Sequence, residues 1–223
     1  MKPKLIIFDF DGTIGDTRQN IIITMQRTMK MVGLPVKSDD ECASTIGLTL
    51  ENSFKTMYPD VGAEMTARCV DAYREIFMES VEELTPELFP GVSDTLAQLH
   101  DMGIEMSIAS SRQSQSLLLF LENMGVLKYF PYVLGSDNVT KHKPDPEPVL
   151  KTLRELNYAP SDVMVVGDMP VDVAMAHGAD VRAIAVTFGN ATREELIEAE
   201  ADYIIDDFTK ILEIIQYTKN SEA

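Results

Sequence analysis

A short apolar run, Leu5–Phe8, stops abruptly at Asp9, and a second acid follows at Asp11. An unbroken apolar run of this length marks a strand buried on both faces of a parallel sheet. From Asp16 the period changes. Ile22, Met25, Met29 and Val32 recur at i, i+3, i+7 and i+10, which predicts a helix that Gly33 can close. Ser38-Asp-Asp-Glu41 reads as a capping box that opens a second helix. Thr49 can cap a third, ending before Pro59. Met65, Cys69, Ala72, Tyr73, Ile76 and Phe77 share one face of a fourth. The methionines along these helices read as core filler.

Pro86 and Pro90-Gly91 punctuate the chain, and beyond them helices and strands alternate. Val92, Leu96 and Leu99 predict a helix closed by Gly103, and Ile104–Ala109 a strand. A helix over Ser114–Met124, a strand over Tyr132–Leu134 and a helix over Pro146–Leu156 follow. The strongly apolar Val163–Val166 is the next strand, then a helix over Val171–His177 stopped by Gly178. Ala183–Val186 and Tyr203–Ile205 are strands, separated by a helix that Thr192-Arg-Glu-Glu195 boxes. Phe208–Thr218 is the last helix. This alternation predicts an α/β fold with a doubly wound parallel sheet. The all-helical stretch, residues 17–83, is expected to be an inserted domain on linkers near 14–17 and 84–90. Residues 1–16 and 84–223 then form the α/β core.

Composition narrows the function. Apolar residues make up 45% of the 223, enough for a real core. Lys and Arg number 19 against 36 Asp and Glu, a formal charge of −17, which argues against nucleic acid as a partner. A small phosphorylated ligand stays compatible, because a metal can reverse the sign locally. Cys42 and Cys69 are too few for a disulfide framework or a zinc site and read as free thiols in helices. No apolar run approaches ~18 residues and no signal peptide is visible, so a cytoplasmic protein without a membrane span is expected. A monomer is the default expectation.

Ligands of an open parallel sheet bind beyond the carboxyl ends of its strands. After the first strand stand Asp9, Asp11, Gly12 and Thr13. Ser110, Ser111 and Arg112 follow the second, and Lys141, His142 and Lys143 the third. Gly167, Asp168 and Asp172 follow the fourth. Converging carboxylates call for a hard cation, and with oxygen ligands and a phosphorylated substrate Mg2+ is the natural choice. Asp9 can attack phosphorus, so that ester cleavage proceeds in two steps through an aspartyl phosphate. Asp11 can protonate the leaving alkoxide and then activate water. Gly12 allows backbone N–H groups close to phosphate oxygens, and Ser110 and Lys143 would bind the transferring group.

Some residues admit two readings. Ser111 is a phosphate ligand or a plain loop hydroxyl, and Arg112 a substrate contact or a solvated arginine. Asp16 caps the first inserted helix or holds the hinge. Lys141 competes with Lys143, and the Lys-Pro pair favours Lys143. Gly47 approaches substrate or ends a helix. Lys55 reads as a solvated charge, and His100, His142 and His177 as structural or surface residues.

The chain resembles the haloacid dehalogenase superfamily of phosphatases, in its phosphoglycolate phosphatase-like branch. The branch's first motif, D-x-D-G-T-[LVI]-x-D-[ST], is matched by Asp9 through Thr17. Its second is matched by Ser110, its third by Lys143 before Pro144, and its fourth, G-D-x-x-x-D, by Gly167-Asp168 through Asp172. The resemblance implies a Rossmann-like core with a helical cap domain, Asp9 as nucleophile and Asp11 as acid/base. It implies Mg2+ held by Asp9, the backbone carbonyl of Asp11 and Asp168, with Asp172 in support. The expected activity is Mg2+-dependent hydrolysis of a small phosphorylated metabolite, phosphoglycolate-like or a sugar phosphate. A sugar phosphomutase and a pyrophosphatase of the same superfamily are the alternatives, and a non-catalytic phospho-ligand binder is a third. The dehalogenase branch lacks the second aspartate, so Asp11 argues against it. The cap shows no selective signature that would name the substrate.

Overall fold

The computed structural model describes residues 2–81 and 83–220. Its elements in chain order are β1 (Leu5–Phe8), β2 (Gly15–Asp16), α1 (Arg18–Val32), α2 (Asp39–Ala43), α3 (Leu50–Met57), α4 (Gly62–Glu79), β3 (Glu87–Leu88), α5 (Val92–Asp101), β4 (Glu105–Ala109), α6 (Ser114–Asn123), β5 (Tyr132–Leu134), α7 (Glu147–Leu156), β6 (Val163–Gly167), α8 (Pro170–His177), β7 (Arg182–Val186), α9 (Arg193–Glu198), β8 (Tyr203–Ile205) and α10 (Lys210–Asn220). The chain divides into two compact units, Met1–Asp16 with Glu87–Ala223, and Thr17–Pro86.

The first unit is built on a six-stranded parallel sheet in the order β5-β4-β1-β6-β7-β8. Every residue of β1 is fully buried, because both faces of the sheet are covered. Leu5 and Ile7 join a cluster with Val149 and Leu153 of α7, Val173 of α8 and Leu196 of α9. Phe8 packs on Phe130 and Phe208. That two-sided burial is the physical reason for the unbroken apolar run.

The strand order reverses at β1, which has β4 on one side and β6 on the other. Register sets Phe8 level with Ile108 and Val166. The carboxyl ends of β1, β4 and β6 therefore border the crevice where such sheets bind ligands.

The stretches read as plain linkers contain a short antiparallel pair. Gly15 lies opposite Leu88, and Asp16 opposite Glu87. Two residues are too few to show a period of two, so no pattern marked them. Asp16 is exposed on β2 and does not cap α1; Thr17 stands at that position.

The second unit holds α1 to α4. Ile22, Met25 and Met29 of α1 pack with Phe54 of α3 and Cys69 of α4 in one core. Gly33 closes α1 in the left-handed conformation, which costs glycine no Cβ clash. The Ser38–Glu41 capping box forms as expected. Cys42 and Cys69 are free and buried. No helix among the described residues is long and apolar enough to cross a membrane.

Candidate active site

β1 delivers Asp9 to the crevice. Its backbone N–H donates to the Val166 carbonyl (2.8 Å), so the sheet ladder itself fixes where the side chain starts. β6 ends in Gly167 and presents Asp168, and α8 brings Asp172 back over the same end. A Cβ on Gly167 would lie 2.4 Å from Asp172 Cβ, so only glycine lets that helix close in. The carboxylates of Asp9, Asp168 and Asp172 each offer an oxygen within 4.8 Å of the others, and all three residues are buried. Lys143 Nζ sits between two of them, 2.7 Å from Asp9 Oδ1 and 2.6 Å from Asp172 Oδ1. Lys141 lies outside, 70% exposed and 3.4 Å from Asp145, so of the two lysines the structure brings only Lys143 to the cluster.

The charges do not balance. Three carboxylates face one ammonium. Burial raises the Asp9 pKa well above 3.8; Lys143 opposes this, and the neighbouring Asp172 and Asp168 add to it. Burial also lifts Asp168 to about 7, with Asp172 adding to the rise and hydrogen bonds from Asn190 working against it. Burial works against the charge on Lys143, but Asp172 and Asp9 outweigh it and hold the ammonium protonated above its ordinary range. A like-charge cluster of this kind takes up protons or a cation.

The turn after β1 is tight. Gly12 has φ +81°, and a Cβ there would lie 2.1 Å from Asp168 Oδ2. Its N–H donates to the Gly15 carbonyl at 3.0 Å. The structure thus requires glycine here for close approach to Asp168, and the phosphate contact expected of this turn from the sequence is compatible with that. Thr13 is fully buried, with Oγ1 3.5 Å from Asp168 Oδ1.

β4 supplies Ser110, whose Oγ accepts the Arg112 N–H at 3.1 Å. Ser111 lies half-buried in the same turn. Arg112 is no solvated arginine. Its side chain is 9% exposed, its Nη2 and Nε bind Asp11 at 2.6 and 3.2 Å, and its guanidinium lies 4.9 Å from the Phe120 ring. A two-pronged Arg–carboxylate pair is a strong and oriented contact. Arg112 thus holds the Asp11 side chain, a pairing that sequence reasoning missed.

Asn190 was missed as well. It follows β7, and its backbone N–H and Nδ2 donate to Asp168 Oδ2 at 2.7 and 2.8 Å. Its signal was available: it stands just past the carboxyl end of a predicted strand, in Thr187-Phe-Gly-Asn190.

A family model described as haloacid dehalogenase-like hydrolase matches residues 6–186. The chain belongs to this family. Among relatives of this haloacid dehalogenase-like hydrolase is a protein provisionally named phosphatase IndB, from Dickeya dadantii. It is 36% identical over 214 residues, covering 95% of this chain and 93% of that one. A phosphoglycolate phosphatase of Vibrio parahaemolyticus is 26% identical over 220 residues, covering 95% and 96%. Among solved structures, a provisionally assigned haloacid dehalogenase-like hydrolase from Bacteroides fragilis superposes with a TM-score of 0.87 at 31% identity. The match covers 94% of this chain and 100% of that one.

Proposed function

We propose that this chain hydrolyses a phosphate ester of a small metabolite by two phosphoryl transfers through Asp9. The class, a phosphatase of the haloacid dehalogenase-like hydrolases, follows from family membership and from relatives named as phosphatases. One observation carries the finer reading: three buried carboxylates and one buried ammonium meet at the strand-order reversal.

In the first step an Asp9 carboxylate oxygen attacks phosphorus, the bond to the leaving oxygen breaks, and Asp11 gives that oxygen a proton. In the second, Asp11 takes a proton from water, whose oxygen attacks phosphorus and frees Asp9 and inorganic phosphate. Arg112 holds both oxygens of Asp11 in the structure, so Asp11 must turn from it to serve the leaving group. Lys143 and Ser110 bind the transferring group, with the Gly12-Thr13 turn and Ser111 at its border. Arg112 acts through Asp11. We assign substrate selectivity to the helical unit, as the resemblance implies.

The donor set fits a hard divalent cation. It is all oxygen, buried, and short of positive charge. Asp9, Asp168 and the Asp11 carbonyl would hold Mg2+, with Asp172 in support. When bound, it would neutralise the carboxylates and polarise the phosphoryl oxygens.

Hydrolysis of an aryl phosphate tests this. The rate is expected to fall to background in chelator, and activity indifferent to chelator would contradict the reading. The pH dependence adds a check. The folded pKa of Asp168 is raised from 3.8 to about 7, so its contribution to metal-free stability is present at acid pH and lost as pH rises toward about 7. A cation must displace that proton below this value. Apparent metal affinity is therefore expected to weaken by up to about tenfold per pH unit below it.

A pyrophosphatase is the second reading. It is favoured by a protein provisionally named pyrophosphatase PpaX, from Clostridium perfringens, 30% identical over 213 residues and covering 96% and 97%. A panel of glycolate phosphate, sugar phosphates, nucleotides and pyrophosphate separates the two.

A further inference from the structure

We infer that Asn190 is a positioning residue that fixes which oxygen Asp168 presents to a divalent cation. This rests on the metal site of the proposed function. Asp168 is fully buried. Its Oδ2 accepts both the backbone N–H (2.7 Å) and the Nδ2 (2.8 Å) of Asn190. Its Oδ1 has Thr13 Oγ1 at 3.5 Å. Two short bonds from one residue hold the carboxylate plane and engage Oδ2, which leaves Oδ1 as the oxygen offered to the cation.

The backbone is shaped around this contact. A Cβ on Gly189 would lie 2.3 Å from Asp168 Cβ, 2.4 Å from its Oδ2 and 2.5 Å from the Gly12 carbonyl oxygen. A Cβ on Gly12 would lie 2.1 Å from the same Oδ2 and 2.4 Å from Asn190 Nδ2. Two separate loops thus give up a side chain against one carboxylate. β7 lies beside β6, with Ala185 opposite Gly167, so the loop after β7 comes down directly on the residue after β6. Partners that orient a liganding carboxylate influence metal affinity about 10–100-fold.

The test is calorimetric titration of the full chain with Mn2+ and Mg2+, alongside thermal unfolding in chelator. Asn190→Ala keeps the backbone donor and loses Nδ2. Its affinity is expected to drop about tenfold or more, with unfolding in chelator close to that of the wild type. Gly189→Ala, whose Cβ would crowd Asp168 and the Gly12 carbonyl and so displace the loop that carries Asn190, is expected to weaken binding too. Should Asn190→Ala fail to fold, Asn190→Ser gives the same reading. Wild-type affinity in a folded Asn190 variant would overturn the inference. A wild-type chain that takes up neither cation would instead overturn the metal site on which it rests, and Asp168→Asn marks the level of no binding.

Discussion

Asp9→Asn is expected to lower turnover by about four orders of magnitude or more and to leave the fold intact. Asparagine has the shape of aspartate but is a far weaker nucleophile, so the phosphoryl acceptor proposed at the end of β1 is lost. The fold should survive because the native site is itself overcharged. Asp9 is buried beside Asp168 and Asp172, and burial disfavours its ionised form. Removing one carboxylate leaves two facing the Lys143 ammonium. Metal-free stability is therefore expected to equal or exceed that of the wild type. Initial rates with an aryl phosphate and thermal unfolding in chelator measure the two halves. Near-normal turnover in a folded variant would sink the assignment of Asp9.

Lys143→Met carries the largest expected effect on stability. Lys143 is 3% exposed and bridges Asp9 and Asp172 at 2.7 and 2.6 Å. Methionine fills the space of the stem and removes the charge. Asp9 and Asp172 then stay buried with no cation between them. Breaking a buried pair by deleting one partner costs about 3–5 kcal/mol, and here one ammonium serves two carboxylates. Urea unfolding in chelator should show a loss of that order, with Mg2+ recovering part of it by supplying the missing positive charge. Turnover should fall as well, because the group proposed to neutralise the transferring phosphoryl is gone. Arginine is a poor substitute, since its planar fork needs more room than the buried point charge it replaces. A loss below about 1 kcal/mol, the scale of an exposed pair, would contradict the role given to Lys143.

Much of this site was legible in the chain because it follows from sheet topology. Leu5–Phe8 reads as a strand buried on both faces, and Val163–Val166 does so for the same reason. Once the alternation of strands and helices predicts a doubly wound sheet, the residues after each strand are the candidates, and Asp9, Ser110, Lys143 and Asp168 stand there. What stayed hidden has particular causes. Asn190 obeys the same rule, but it follows a later strand and is an amide, not an acid, so no charge marks it in the sequence. The Arg112–Asp11 pair joins residues 101 positions apart, and no local pattern encodes such a contact. Gly189 looks like any loop glycine until Asp168 is seen where its Cβ would be. The β2–β3 pair is too short to leave a period.

The proposed path of phosphate runs through Asp9. Its most direct test is to quench the wild-type enzyme in acid during turnover and map the peptides by mass. A phosphoryl adduct on Asp9, absent from Asp9→Asn, is the predicted result. Steady turnover with no adduct, or with the adduct on another residue, would contradict the account.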